Sequence, residues 1–189
     1  MNLAELLLDP EERRSRTNRV YGVVSGIVTD NHDPEGRARV KINFPWLAEH
    51  AESDWAKVAS LMAGKDRGTC FLPEVGDEVL VAFERGDLDH PFIVGYLWNG
   101  VDVPPETDPE NRIIFTPGKH TLRFEDKNQK IILKSAGGHE VVIDDSANTL
   151  TLQTNGGQSI VLSDNPLSSI TLKGGGRQIQ MSTGQVQIT

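Results

Sequence analysis

The sequence predicts an all-β chain in two parts, a small closed barrel followed by an array of stacked strands whose interior is shared between copies of the chain. Three observations carry this. Residues 118–189 repeat at intervals of 19, with Gly118, Gly137, Gly156 and Gly175 in one slot, His120, His139, Gln158 and Arg177 in another, and Asp126, Asp145 and Asp164 in a third. Each unit contains two short runs in which apolar and polar residues alternate, the pattern of a strand with one buried face. Ahead of the repeat, residues 18–100 break into five apolar alternations separated by Gly- and Pro-marked turns.

Residues 1–17 read as a short helical arm. Asn2 and Glu5 have capping-box spacing, and Asp9-Pro10 has the form of an N-cap followed by proline at the first helical position. Leu3, Leu6 and Leu7 fall on one face, which is expected to dock on a surface, either that of its own domain or that of a hub protein.

Residues 18–100 give the five strands. Arg19–Thr29 carries Val20, Val23, Val24, Ile27 and Val28; Arg37–Pro45 alternates through Ala38, Val40, Ile42 and Phe44; Asp54–Met62 holds Trp55 and Val58; Val79–Phe83 and Pro91–Trp98 complete the set. Five strands over about 80 residues indicate a small barrel of the oligonucleotide/oligosaccharide-binding (OB) kind. Val101–Pro117, with Pro104, Pro105 and Pro109, reads as an extended linker.

In the repeat region, 118–189, the inward positions are Leu122, Phe124, Ile131, Leu133, Val141, Ile143, Leu150, Leu152, Ile160, Leu162, Ile170, Leu172, Ile179 and Met181, continuing into Val186 and Ile188. Two inward residues per strand make a thin core. Three chains wound about a common axis is the simplest closed arrangement that also removes the sheet edges. The glycine of each unit is expected to form the corner, and the Asp slot to support the turns.

Composition excludes several function classes. Net charge is −8, so no basic footprint for nucleic acid is present. Cys70 is the only cysteine, which rules out intrachain disulfides and a multi-cysteine zinc site. No run of 18 apolar residues suggests a membrane-spanning helix, and no basic segment followed by an apolar one suggests a secretory signal, so synthesis and assembly in the cytoplasm are expected. The search for chemistry yields neither catalytic residues, nor a cofactor, nor a metal site. Ser25 in Gly22–Gly26 stands one place late for a nucleophile elbow. Gly64-Lys65 lacks the rest of a phosphate loop, and Gly174-Gly175-Gly176 leads into a strand rather than a helix. Asp30–Gly36 clusters oxygen ligands without EF-hand spacing and reads as a hairpin loop. Trp46, Trp55 and Trp98 are read as packing residues rather than base-stacking platforms, and the His120/His139 slot as a solvent-facing strand start.

The residues of the barrel resemble a known family. Gly22–Val28, Asp33-Pro34-Glu35-Gly36-Arg37-Ala38-Arg39-Val40-Lys41-Ile42 and Phe44-Pro45-Trp46 are similar to the opening of the phage baseplate spike proteins. Ser53-Asp54-Trp55 and Leu72-Pro73-Glu74-Val75-Gly76-Asp77-Glu78-Val79-Leu80-Val81, with Phe83-Glu84-Arg85-Gly86-Asp87, Pro91 and Val94-Gly95, continue the match. This family includes baseplate assembly protein V of contractile-tailed phages, the spikes of phage-like injection particles and the type VI secretion spikes. The resemblance implies a homotrimer with a collar of three barrels and an intertwined triple-stranded β-helix as needle, with no enzymatic activity. It implies a structural role: closing the tube of a phage tail or extracellular contractile injection particle and piercing the target envelope in transient contact. Alternatives are a single-stranded nucleic-acid-binding barrel or a cell-wall hydrolase.

Two departures from the family shape the expected partners. Only 17 residues precede the barrel, so the hub is expected to be a separate baseplate protein, and the 17-residue linker is too short for the lysozyme domain of some phage spikes. Ile179–Thr189 holds no His-x-His pair, so the iron apex of some relatives is not expected. The last strands alternate through Val186, Ile188 and Thr189 with nothing following to taper or cap them, and a small conical tip protein of the Pro-Ala-Ala-Arg repeat type is expected to sit there.

Overall fold

A computed structural model describes residues 19–47 and 52–189. The helical arm expected over 1–17, with Leu3, Leu6 and Leu7, lies outside the described residues. The chain divides into two compact units, 1–103 and 104–189. Both are built from strands, and no helix among the described residues is long and apolar enough to cross a membrane.

The first unit is a closed barrel. Its strands are β1 (Val23–Asp30), β2 (Arg39–Asn43), β3 (Ala56–Val58), β6 (Glu78–Phe83) and β7 (Pro91–Tyr96), closing in the order β1-β2-β3-β7-β6. Four pairings are antiparallel, and β3 runs parallel to β7. Most inward side chains come from alternations visible in the sequence, but in the third strand the buried residue is Ala56 rather than Trp55, and Ala38, read as the first inward position of the second, is exposed with φ 55°. Val28, Val40, Ile42, Phe44, Ala56, Val79, Val81, Phe83 and Ile93 are buried, and Val20, Val24, Val58, Leu72 and Leu88 pack against them. Gly26 is required by close approach, since a Cβ there would overlap Ile42 Cγ2. A side hairpin joins β4 (Ala63–Gly64) to β5 (Arg67–Gly68). Gly64-Lys65 is therefore the start of a tight turn, with Asp66 left-handed at φ 56°.

The second unit is a nine-stranded antiparallel meander in strict chain order: β8 (Asn111–Phe115), β9 (Thr121–Glu125), β10 (Lys130–Lys134), β11 (Glu140–Asp144), β12 (Thr149–Gln153), β13 (Ser159–Ser163), β14 (Ser169–Gly174), β15 (Arg177–Ser182) and β16 (Gln185–Ile188). One 19-residue unit is thus two strands and two connections. The sheet starts earlier than the repeat does, because Asn111–Phe115, assigned to the linker from sequence, pairs along its length with Thr121–Glu125. Prolines on both sides and the run Ile113-Ile114-Phe115 hide its alternation.

The connections explain the periodic slots, with one correction. Gly175 is left-handed (φ 59°) as expected, but Gly118, Gly137 and Gly156 do not carry the left-handed corner; the residue after each does, namely Lys119 (φ 62°), Gly138 (φ 82°) and Gly157 (φ 83°). A Cβ on Gly138 would also stand 3.2 Å from Asn155 Cγ, whereas one on Gly137 would lie 3.6 Å from the nearest atom of His139. Gly138→Ala is therefore expected to cost about 1–2 kcal/mol and Gly137→Ala under about 0.5 kcal/mol, read as a difference in chemical-denaturation midpoint. The connections also shorten toward the end: most hold five or four residues, but the last two are the pairs Gly175-Gly176 and Thr183-Gly184, so β14–β16 are joined by two-residue hairpins.

Candidate assembly interface

Register places the fourteen predicted core residues on one face. Moving across the sheet, one row reads Ile114, Leu122, Leu133, Val141, Leu152, Ile160, Leu172, Ile179, Ile188, each directly opposite the next. The second row reads Arg112, Phe124, Ile131, Ile143, Leu150, Leu162, Ile170, Met181, Val186 by the same pairings. The opposite face carries Arg123, Thr151, Thr171, Gln180 and Gln187 down its middle, mixed with Ile113, Ile132, Val142 and Val161. A period of two with no slip across nine strands keeps both of these rows on one side.

That side is uncovered within the chain. Ten of the fourteen residues keep 37–54% of their surface exposed, Leu133 the most. Leu122, Val141, Leu150 and Leu172 are half-buried. The barrel core, by contrast, lies between 0 and 8%. Fully burying such side chains is worth roughly 1.5–3 kcal/mol each, so covering the part still exposed would add on the order of 10 kcal/mol per chain. Val186 and Ile188, assigned to a tip contact, sit on the same face at 64 and 73% exposure. Thr189 exchanges backbone hydrogen bonds with Gln178, at 2.7 and 2.9 Å.

Successive units are clipped together at both margins. On one margin the backbone N–H of Asp126, Asp145 and Asp164 donates to the carbonyl of Glu110, Gln129 and Asn148 at 3.1, 3.0 and 3.0 Å. The aspartate slot thus works through its backbone in all three units; Asp164 also holds its own turn by accepting from Ser168 Oγ at 3.0 Å, Asp126 accepts from Arg112 Nη1 at 2.6 Å, and in the middle unit the neighbouring Asp144 holds the turn, accepting from Ser146 Oγ and the Ala147 N–H. On the other margin the N–H of Ala136 donates to His120 Nδ1 and that of Asn155 to His139 Nδ1, at 3.3 and 3.4 Å. The two histidines, read from sequence as plain strand starts, are exposed but link one unit to the next.

Asp144 also pairs with Lys130 Nζ at 2.8 Å across β10 and β11. The lysine, then Ser146 and the Ala147 N–H, pull its carboxyl down to about 2. The folded value lies below the ordinary carboxylate value of about 3.9. Its contribution is therefore present above pH ~4 and is lost as pH falls from there through about 2. Asp144→Asn should lower the melting temperature at pH 6 and change it little near pH 2, where the two melting curves should converge.

In the barrel, Asp33 is pinned by Arg39, with Nε to Oδ2 at 2.8 Å and Nη2 to Oδ1 at 2.7 Å, and accepts the N–H groups of Glu35 and Arg37. The guanidinium beside it holds its carboxyl well below the usual range. The acidic loop 30–36 is thus closed by an internal ion pair, and no group of His, Cys, Asp or Glu among the described residues is arranged to hold a metal. Of the tryptophans, read from sequence as core or inter-subunit packing, Trp46 and Trp98 are 48 and 65% exposed within one chain and so lie outside the barrel core, while Trp55 does have basic neighbours, with Arg39 and Lys41 at 5.9 and 5.6 Å from its ring. Both cations are already committed, Arg39 to Asp33 and Lys41 to Glu52, so they offer no free charge to a nucleic-acid backbone.

Comparison with known proteins agrees with the barrel. Residues 24–98 match the family described as the type VI secretion system/phage-baseplate injector OB domain. The chain is 36% identical over 104 residues to the actin cross-linking toxin VgrG1 of Vibrio cholerae, a match covering 49% of this chain and 10% of that protein. It is 35% identical over 82 residues to the type VI secretion system spike protein VgrG2a of Pseudomonas aeruginosa, covering 41% of the chain and 10% of the relative. Against the spike protein VgrG5 of the same species the identity is 35% over 129 residues, 58% of the chain and 16% of the relative. The chain therefore spans between a tenth and a sixth of the length of these relatives.

Proposed function

We propose that the protein, whose residues 24–98 match the type VI secretion system/phage-baseplate injector OB domain, is the central spike of a contractile tail or injection particle, working as a homotrimer. The observation that carries this is the apolar face of the nine-stranded sheet, continuous from Ile114 to Ile188 and uncovered within one chain. Three copies turned inward about one axis cover it and give every strand margin a neighbour. The three barrels form a collar, the strand arrays an intertwined β-helical needle.

The mechanism is mechanical rather than enzymatic. Axial thrust is carried by hydrogen-bonded strands and by the clips at Asp126, Asp145, Asp164, His120 and His139, so the needle transmits force to an envelope without buckling at a loop. The arm with Leu3, Leu6 and Leu7 docks on a baseplate hub protein, and Val186, Ile188 and Thr189 seat a small tip protein of the Pro-Ala-Ala-Arg repeat type. Assembly takes place in the cytoplasm before the particle acts on its target.

Light scattering of the purified chain tests this, with an expected mass three times 20.8 kDa. A stable folded monomer would end the proposal. Electron images should show a collar bearing a thin rod.

A further inference from the structure

The two margins of the strand array carry opposite chemistry. On the margin where β8, β10, β12 and β14 end, the connections 116–120, 135–139, 154–158 and Gly175-Gly176 hold Lys119, His120 and His139 and no Asp or Glu. On the other, the connections 126–129, 145–148, 164–168 and Thr183-Gly184 hold Asp126, Asp145 and Asp164. The one cation there, Lys127, pairs with Glu110 at 3.4 Å. The two sets lie level with one another. His120 and Asp126 immediately flank β9, His139 and Asp145 flank β11, and Gln158 and Asp164 flank β13, each pair with the parity of the apolar residues between them.

Each end also has an unused bonding group. An imidazole that accepts at Nδ1 carries its hydrogen on Nε2. His120 and His139 accept the N–H groups of Ala136 and Asn155 in that way, so both have an Nε2–H left to donate. Gln158 accepts from Thr154 Oγ1 at its Oε1, which leaves its amide nitrogen. At the other margin the bonds of the 145–148 turn go to Asp144, and the Asp145 carboxylate has no partner in its own chain among the described residues. Asp164 and Asp126 bind Ser168 and Arg112 through one oxygen each, with the second open. Donor and acceptor cannot meet within one chain, because the strand between holds them about 20 Å apart.

A ring of three chains closed by rotation alone brings one margin of each sheet against the opposite margin of the next, strand by strand at equal height. Chains laid in opposite directions would instead set aspartates against aspartates. The apolar rows do not make that distinction, since every layer from β9 to β15 offers two apolar side chains; the margins do. We infer that a second copy of this chain docks along each margin, His120 and His139 Nε2 donating to Asp126 and Asp145 of the neighbouring copy and the Gln158 amide to its Asp164. These corners fix the direction and register of the three chains. The inference rests on the homotrimeric spike reading above.

The test is disulfide trapping in the full chain with Cys70→Ser. A disulfide needs Cα atoms within about 7 Å, so His139→Cys with Asp145→Cys can close only between chains. Oxidation is expected to give at least five times as much covalent trimer as His139→Cys with Asp164→Cys, whose two sites stand about 10 Å apart in height. His139→Cys alone is expected to give no covalent dimer. Light scattering before oxidation separates the two readings. Trimers in which the 139/145 pair traps no better than the 139/164 pair, or in which His139→Cys alone gives dimers, overturn the inference and leave the spike reading standing. Folded monomers of the Cys70→Ser parent overturn the spike reading and the inference with it. If the 139/145 variant fails to assemble, Gln158→Cys with Asp164→Cys, compared with Gln158→Cys with Asp145→Cys, decides in its place.

Discussion

Ile160→Asp is expected to destroy the assembled needle. In a single chain Ile160 is 40% exposed, flanked by Leu152 and Leu172 in its row. On a surface that stays in water, a substitution there costs within about 1 kcal/mol. With three chains closed over that row, the same substitution places three carboxylates in one dry layer, and an uncompensated buried charge costs about 3–5 kcal/mol per chain. Light scattering should then show loss of the trimer, with the melting transition lowered by tens of degrees or lost. Thr151→Asp, on the opposite face, should leave both measurements nearly unchanged. A trimer that survives Ile160→Asp with its melting transition intact would refute the three-chain core.

The second large effect separates two deletions of the repeat. Removing 137–155 takes out β11 and β12 and joins Ala136 to Gly156, recreating a five-residue connection, Ser135-Ala136-Gly156-Gly157-Gln158. Strand β10 can then pair with β13, with Leu133 opposite Ile160 and Ile131 opposite Leu162, so both apolar rows stay continuous. Removing the ten residues 137–146 takes out β11 alone. The next strand then has to reverse its direction to keep an antiparallel ladder, and the alternation can no longer serve both neighbours. The first deletion should give a shorter trimer melting within a few degrees of the parent, the second a chain with no cooperative transition in the array. Equal melting of the two would show that the two-strand unit is not the building block.

Much of this was legible because the side-chain period of a strand is two and the repeat is long. The rows from Leu122 to Met181 needed only counting, and the barrel's buried residues, such as Val40, Ile42, Val79 and Val81, stand at alternate positions in plain sight. What stayed hidden had physical reasons. Strand β8 sits between prolines, carries Arg112 on the apolar face and has three apolar residues in succession, so its period is masked. The left-handed corner was assigned to the periodic glycine rather than to its neighbour because Lys119 fills that corner in the first unit, and a φ angle leaves no direct mark on composition. The histidine clip is invisible because the same slot accepts Gln158 and Arg177, which meet the geometry differently. Trp46 and Trp98 are large and apolar, so hydrophobicity alone could not distinguish a core position from an exposed one.

The shortening of the last connections, from five and four residues to two, has a mechanical consequence. In the proposed three-chain needle the strands lie across the axis, so its perimeter is the sum of the strand lengths and of the connections that turn its corners. Where Gly175-Gly176 and Thr183-Gly184 replace the longer connections, less chain is left to turn each corner. Connections of two residues also hold the least slack, so in such a needle the end formed by β14–β16 is the part least able to yield sideways.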